Sequence, residues 1–263
     1  MKAGANLKIA VVGKGGVGKT TVAGALCRIY AAQGLRVLAV DADPDANLAS
    51  ALPLDGRAPE PLARRRALIR AAAGGGELPA GLFLLNPDTG YLLPEGTVRW
   101  AEGCELVVLG WGKSGGEGCY CAENAVLRRL LSAAAGGPAD VVIVDSEAGL
   151  EHMSRGTVAD VDAVLAVIEP GFRSVETAYA IRRLADDLGI AHAWPVLCGH
   201  RDAGELELMN ELLAAWPPLV AVPYADEVRA ADLHGRPPAL AGDWADALHD
   251  LALRLLNLRE ERP

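Results

Sequence analysis

Residues 8–21, KIAVVGKGGVGKTT, decide the fold of this chain, because they join an aliphatic run, a glycine-rich loop and the start of a helical segment. Positions 13–20 match the phosphate-binding pattern in which a second glycine, a lysine and a threonine close the loop. Glycines let backbone N–H groups turn toward phosphate oxygens, and the helix N-terminus adds the positive end of its dipole. The sequence therefore predicts a P-loop.

The residues of this loop have predicted roles in nucleotide binding. We expect Lys19 to reach the β- and γ-phosphates and the hydroxyl of Thr20 to ligate Mg²⁺. The complete set of predicted phosphate-loop contacts is Gly13, Gly15, Gly16, Val17, Gly18, Lys19, Thr20 and Thr21.

Other aliphatic runs alternate with segments of helical spacing. The predicted strands are Lys8–Val12, Arg36–Val40, Glu105–Leu109, Val141–Val144, Ala163–Ile168, Ala193–Leu197 and Leu219–Val222. The predicted helices are Lys19–Gln33, Glu123–Ala134, Arg173–Leu188 and Trp244–Leu258. This alternation predicts an α/β fold, a single P-loop NTPase domain over residues 1–263 with a mostly parallel, doubly wound sheet flanked by helices. The glycine- and proline-rich stretch 51–94 is interpreted as an irregular insertion on the rim.

Composition restricts the class of partner. The formal net charge of −9 over 263 residues disfavours nucleic acid and anionic membranes as partners. No run reaches the roughly 18 apolar residues of a membrane span, and the start of the chain does not resemble a signal peptide. Five cysteines are an odd, sparse set that does not suggest a disulfide framework, so we expect a cytoplasmic protein.

Carboxylates follow two of the predicted strands. Residues 41–48 read DADPDANL, and a later aliphatic run ends at Asp145. Carboxylates at the carboxyl ends of strands beside a P-loop lie where Mg²⁺ and the attacking water are bound. An apolar strand that ends in aspartate is the Walker-B pattern, whose carboxylate binds Mg²⁺ through water.

A Cys-x-Cys pair, Cys119 and Cys121, lies in a glycine-rich loop before the predicted helix at Glu123. Thiols at a helix N-terminus have a lowered pKa and are therefore available as thiolates. Two thiolates leave a tetrahedral metal half coordinated, whereas two copies related by a two-fold axis supply four sulfurs. The pair predicts a metal at a homodimer interface, and soft ligands favour Zn²⁺, Ni²⁺ or an iron–sulfur cluster. The cysteines at positions 27, 104 and 198 are interpreted as structural.

The second lysine of the loop, Lys14, makes the sequence resemble the deviant Walker-A ATPases, which include the nitrogenase iron protein, MinD and ParA. The resemblance implies that Lys14 reaches across a dimer interface to the partner's ATP, and that Lys14, Lys19 and Asp43 are catalytic. It implies that Asp43 positions the attacking water and that Asp41 supports the Mg²⁺ water shell beside Thr20 and Asp145. It also implies a second switch, formed by Asp145 and Gly149, that senses the γ-phosphate.

Three further segments narrow the resemblance. Residues 118–124 (GCYCAEN), 145–152 (DSEAGLEH) and 41–48 look like those of the carbon monoxide dehydrogenase maturation ATPases, the CooC-type nickel-insertion family. This similarity implies an ATPase that binds Ni²⁺ between two subunits at Cys119 and Cys121, with Zn²⁺ as another occupant of that site. ATP hydrolysis would be coupled to nickel delivery to the dehydrogenase. In the matching segment 222–227, Pro223 would contact the nucleotide.

The chain also departs from that family. Members commonly carry Asn-Lys or Asn-Arg after the sixth predicted strand, where the asparagine reads adenine, but this chain has Cys198-Gly199-His200-Arg201. The choice between ATP and GTP therefore stays open. Alternative functions are an iron–sulfur scaffold or carrier ATPase, a MinD- or ParA-like positioning ATPase, and an ATP-driven electron-transfer protein.

Overall fold

The computed structural model describes residues 6–43, 45–55, 59–65, 67–68, 95–110, 138–147 and 161–260. Its strands are β1 Leu7–Val12, β2 Val37–Asp41, β3 Thr97–Ala101, β4 Cys104–Val108, β5 Val141–Asp145, β6 Ala163–Ile168, β7 Ala193–His200 and β8 Val220–Pro223. Its α-helices are α1 Lys19–Ala32, α2 Phe172–Asp187, α3 Ala203–Leu212, α4 Asp226–Leu233 and α5 Asp243–Glu260. Short 3₁₀ turns span Leu48–Ala51 and Leu62–Arg64.

The eight strands form one sheet in the order β3-β4-β2-β5-β1-β6-β7-β8. All neighbouring strands are parallel except β3 and β4, which pair antiparallel at one edge. The strand that precedes the glycine-rich loop, β1, lies between β5 and β6. The sheet is thus the predicted doubly wound, mostly parallel sheet.

Both faces of the central strands β1, β2, β5 and β6 are buried, which explains why these strands are mostly aliphatic. Along β1, Leu7, Ile9 and Val11 pack into one core with α1 and α5. Ala10 and Val12 point to the opposite core, which contains α2 and α3. On the first face the buried hydroxyl of Tyr30 donates a hydrogen bond to the carbonyl of Ala252, 3.1 Å away, and so joins α1 to α5.

The seven predicted strands and three of the four predicted helices are present, with ends within three residues of the prediction. Three elements had not been predicted: the edge strand β3 and the helices α3 and α4. The predicted helix at 123–134, and residues 56–58, 66 and 69–94 of the predicted rim insertion, lie outside the described residues.

Candidate nucleotide-binding site

The adjacency of β2, β5 and β1 gathers the predicted site at one edge of the sheet. Asp41 and Asp145, the last residues of β2 and β5, are paired in register. The chain after β5 is tied to β1, because the N–H of Ser146 donates to the carbonyl of Val11 at 3.0 Å. Since all three strands end at the same level, the loop after β1 and both carboxylates face the same space.

The glycine-rich loop packs tightly against the sheet at its first residue. A Cβ atom on Gly13 would lie 2.3 Å from the carbonyl oxygen of Val167, at the end of β6. No side chain fits there without a shift of backbone. The close contact holds the start of the loop against β6 and so sets where the loop's N–H groups lie.

Lys19, the first residue of α1, lies within the loop and is almost fully buried. Its ammonium group donates to the carbonyl oxygen of Lys14 at 3.1 Å and forms an ion pair with Asp43 at 3.5 Å. Asp43 is itself buried. The lysine charge is therefore held between the loop and the predicted water-positioning carboxylate, whereas the side chain of Lys14 is exposed.

Thr20 and Asp145, two of the predicted Mg²⁺ ligands, are in direct contact. The hydroxyl of Thr20 donates to Oδ2 of Asp145 at 2.7 Å. The other carboxylate oxygen of Asp145, Oδ1, is buried and has no hydrogen-bond partner among the described residues. Burial raises the pKa of Asp145 to about 6, against the lowering effects of the Thr20 hydrogen bond and the Lys19 charge.

Asp41 supports this arrangement from β2. Its carboxylate accepts the N–H groups of Leu48 at 2.9 Å and Asp43 at 3.3 Å, so it fixes the turn that carries Asp43. Burial and then the charge of Asp145 raise the pKa of Asp41 to about 7. Two fully buried carboxylates, one of which raises the pKa of the other, are suited to a cation.

The residues present fit Mg²⁺. A buried carboxylate oxygen without a partner, a hydroxyl 2.7 Å from the same carboxylate and a second buried carboxylate supply hard oxygen ligands. Magnesium in nucleotide sites takes only one or two protein ligands directly and completes its shell with phosphates and waters. Consistent with this, the described part of the chain contains no group of three or more His, Cys, Asp or Glu residues that could hold a metal alone.

Two cavities lie side by side along the loop. The first, here called the phosphate cavity, has a volume of about 340 Å³ and is lined by Gly15, Lys19, Thr20, Asp43 and Asn47, among others. The second, here called the β7–β8 cavity, has a volume of about 470 Å³. Its walls include Cys198, Arg201, Glu205, Pro223, Tyr224 and Trp244. Gly16, Gly18 and Thr21 line both, so the two cavities adjoin each other along the loop.

Several predicted residues cannot be placed. Cys119 and Cys121, the predicted metal ligands, and Gly149 of the predicted second switch lie outside the described residues. The other three cysteines are buried thiols, as expected for structural residues, although Cys198 also lines the β7–β8 cavity. Within the described ranges, no helix is both long enough and apolar enough to cross a membrane.

With this geometry in view, comparison with known proteins identifies the family. Residues 8–238 match the CobQ/CobB/MinD/ParA nucleotide binding domain. The chain is 39% identical to the carbon monoxide dehydrogenase accessory protein CooC of Rhodospirillum rubrum, over 97% of both chains. It is a CooC-type member of this nucleotide-binding family.

Other relatives of this CooC-type chain agree with that assignment. An uncharacterised ATP-binding protein of Methanocaldococcus jannaschii is 34% identical over 96% of this chain and 99% of its own length. Among solved structures, the MinD cell division protein of Aquifex aeolicus superimposes with a TM-score of 0.68 at 20% identity, covering 98% of this chain and 99% of its own. A ParA family ATPase from Chlorobium tepidum gives 0.73 at 20% identity, covering 95% and 98%. These two structures establish the fold.

The sequence alone did not identify part of the β7–β8 cavity. Glu205 belongs to no nucleotide-binding motif, and Arg201 was noted only as part of a departure from the family pattern. The signal that was present is the spacing Asp202-x-x-Glu205, a helix-start pattern. In the structure the side chain of Asp202 accepts the N–H of Glu205 at 2.9 Å and caps α3.

Proposed function

We propose that this chain is an ATP-hydrolysing metallochaperone that binds Ni²⁺ at a Cys-x-Cys site shared across a homodimer and delivers it during carbon monoxide dehydrogenase maturation. The observation that carries the proposal is the 39% identity to CooC over 97% of both chains, together with a P-loop whose acidic partners are buried beside it. The two parts of the function, hydrolysis and metal delivery, rest on different residues.

Hydrolysis is supported by the groups around the phosphate cavity. Lys19 and the loop N–H groups would bind the phosphates, while Thr20, Asp145 and Asp41 would hold Mg²⁺, directly or through water. Bound there, Mg²⁺ would neutralise charge on the phosphate oxygens. Asp43 would orient the attacking water, since it lines the phosphate cavity and its carboxylate is 3.5 Å from the ammonium group of Lys19.

Dimerisation would complete the catalytic site. The exposed side chain of Lys14 is available to a partner subunit, whereas Lys19 is buried in its own loop. A second cation supplied in trans would stabilise the charge that develops on the transferring phosphoryl group. ATP binding would thus bring two subunits together, and hydrolysis would release them.

Metal delivery depends on Cys119 and Cys121. Two thiolates from each of two subunits make a tetrahedral set, which suits Ni²⁺ as cargo and also admits Zn²⁺. The nucleotide would act on this site through the second switch, Asp145 and Gly149, because Asp145 belongs to the Mg²⁺ site and its chain leads toward Gly149. The client would be the apo form of a carbon monoxide dehydrogenase.

The experiment is to measure metal content and oligomeric mass together, with Ni²⁺ or Zn²⁺ added and with or without a non-hydrolysable ATP analogue. We expect one metal ion per two chains in the wild type, and loss of both metal and metal-dependent dimer in Cys119→Ala/Cys121→Ala. The control is Cys104→Ser, which removes a buried thiol that contacts the carbonyl of Leu35 and keeps a hydroxyl there.

Metal that persists in the double variant, or a wild type that binds none, would contradict the shared thiolate site. If the wild type forms a dimer with nucleotide but without metal, the hydrolysis part of the proposal still stands. Delivery is tested separately, by adding the nickel-loaded protein and ATP to a nickel-free dehydrogenase and measuring recovered carbon monoxide oxidation. Equal recovery of carbon monoxide oxidation with Cys119→Ala/Cys121→Ala would contradict the delivery role.

A further inference from the structure

At the end of β7 the chain carries Cys198-Gly199-His200-Arg201 in place of the asparagine that family resemblance predicts as the reader of adenine. β7 extends to His200, and its pairing with β8 shifts in register between Cys198 and His200. Gly199 takes a φ of 80° at that shift, a bulge conformation suited to glycine. The positions that would carry asparagine thus present a buried thiol, a glycine without a side chain and a histidine. If the cavity reads a base, another residue must do so.

Glu205 is the polar group best held for that purpose. Its carboxylate Oε2 accepts the N–H of Arg201 at 2.8 Å, and its own N–H is bonded to the capping side chain of Asp202 at 2.9 Å. Hydrogen bonds therefore hold both the carboxylate and the backbone N–H of Glu205. Its other oxygen, Oε1, has no hydrogen-bond partner within the part of the chain that the structure describes. Glu205 lines the β7–β8 cavity and not the phosphate cavity.

Two neighbouring residues of the cavity wall, Arg201 and Tyr224, are also held in place. The guanidinium of Arg201 lies over the ring of Tyr224, 4.8 Å from its centroid. Tyr224 is held by its N–H, which donates to the carbonyl of His200 at 2.9 Å, and by its hydroxyl, which donates to Asp226 at 3.2 Å. This flat cationic stack, together with Pro223, gives the cavity the walls that a planar heterocycle requires.

We propose that Glu205 selects the base of the nucleotide, by accepting a hydrogen bond from the 6-amino group of adenine. With the phosphates in the loop, the six-membered edge of a purine is the part farthest from the ribose and so reaches the cavity that Glu205 lines. A carboxylate is acceptor-only, so an oxygen that faces purine position 6 favours the 6-amino group of adenine over the 6-oxo group that guanine and hypoxanthine carry there. Arg201 is a positioning residue, since its backbone N–H donates to the carboxylate of Glu205 and orients it. The proposal rests on the nucleotide-binding part of the proposed function and not on the metal.

The test compares ADP with IDP, which differ only at purine position 6 and the adjacent ring nitrogen, by calorimetric titration in the presence of Mg²⁺. A hydrogen bond to a charged group corresponds to about 10- to 100-fold in affinity. We expect wild-type protein to bind ADP tighter than IDP by a ratio in that range. In Glu205→Gln the amide can donate to the 6-oxo group and still accept from Arg201, so the ratio should fall by about tenfold. The matched control is Glu207→Gln, an exposed residue of the same helix that lines neither cavity.

An ADP to IDP ratio that is unchanged in Glu205→Gln would overturn the proposal. So would wild-type protein that binds IDP or GDP as tightly as ADP, or a ratio that falls equally in Glu207→Gln. Failure of the proposed function looks different, because wild-type protein would then bind none of the three nucleotides. Circular dichroism of each variant checks that α3 is still folded.

Discussion

The hydroxyl of Thr20 lies 2.7 Å from the carboxylate of Asp145, which is 125 residues away in the sequence. Thr20 is the second residue of α1 and Asp145 ends the central strand β5, so the bond joins the P-loop to the sheet. It leaves one carboxylate oxygen of Asp145 buried without a partner among the described residues. The candidate Mg²⁺ site is therefore assembled by the fold itself.

Replacing Thr20 by Val removes this hydrogen bond with little change in volume. The buried carboxylate of Asp145 would then lack the hydroxyl that donates to it, which costs about 1–3 kcal/mol of unfolding free energy. We expect Thr20→Val to unfold at lower urea concentration than wild type in the absence of Mg²⁺, and to bind Mg·ADP more weakly. Thr20→Ser keeps the hydroxyl and should behave nearly as wild type; equal loss in both variants would exclude the hydrogen bond as the cause.

The pH dependence of the free energy of unfolding should reflect the titration of Asp41. Its pKa is raised from an ordinary 3.8 to about 7, chiefly by burial. Between pH 4 and pH 7 the native state therefore binds more protons at Asp41 than the unfolded state does. The free energy of unfolding must fall as pH rises through this window. Since a tenfold change in proton affinity corresponds to about 1.4 kcal/mol, the fall is roughly 4 kcal/mol at most.

This effect is measured by urea unfolding at several pH values in the presence of a chelator. Asp41→Asn should unfold with a flatter pH profile than wild type between pH 4 and pH 7. The exposed control Glu207→Gln should retain the wild-type profile. Parallel profiles for wild type and Asp41→Asn would show that this carboxylate does not titrate in the window.

The trans role of Lys14 predicts complementation between two inactive variants. We expect Lys14→Ala to bind nucleotide but to turn over ATP at least about 100-fold more slowly. Lys19→Ala should lose nucleotide binding, because Lys19 is the cation inside the loop. In a mixed dimer, the intact loop of the Lys14→Ala chain receives Lys14 from the Lys19→Ala chain. Mixing the two variants should therefore restore ATPase activity, and a mixture as inactive as its components would rule out action in trans.

The close packing of Gly13 predicts a large difference between two glycines of the same loop. A Cβ at Gly13 would lie 2.3 Å from the carbonyl of Val167, whereas a Cβ at Gly15 would meet nothing within 4 Å. Overpacking of this kind costs about 1–3 kcal/mol or more. Urea unfolding should show Gly13→Ala clearly destabilised and Gly15→Ala close to wild type. Equal stability of the two variants would mean that the backbone of β6 shifts to accommodate the added methyl group.

The sheet was predictable because buried parallel strands are aliphatic on both faces and alternate with long helices. β3 escaped prediction because Thr97–Ala101 is a half-buried edge strand that contains Arg99, so it has no aliphatic run. The helices α3 and α4 are short and bury only Met209 and Ala231, respectively, so no apolar stripe marks them.

The candidate site also divides into a part that the sequence predicted and a part that it did not. The phosphate half was predictable, because the loop is contiguous in sequence and its carboxylates follow aliphatic strands. The β7–β8 cavity was not, since Arg201, Glu205 and Tyr224 come from a strand end, a short helix and a loop that meet only in three dimensions. Pro223 was predicted from family resemblance, and it does line this cavity.

The central position of β5 and the sparse packing of α3 and α4 predict different rates of hydrogen exchange for their backbone amides. Backbone amides of β5 are bonded between β1 and β2, so we expect them to exchange hydrogen with solvent only on global unfolding. The amides of α3 and α4, each with one buried residue, should exchange through local opening. Under the proposed base site, local opening of α3 would free Glu205 from the base of a bound nucleotide while β5, which ends at Asp145, stays protected.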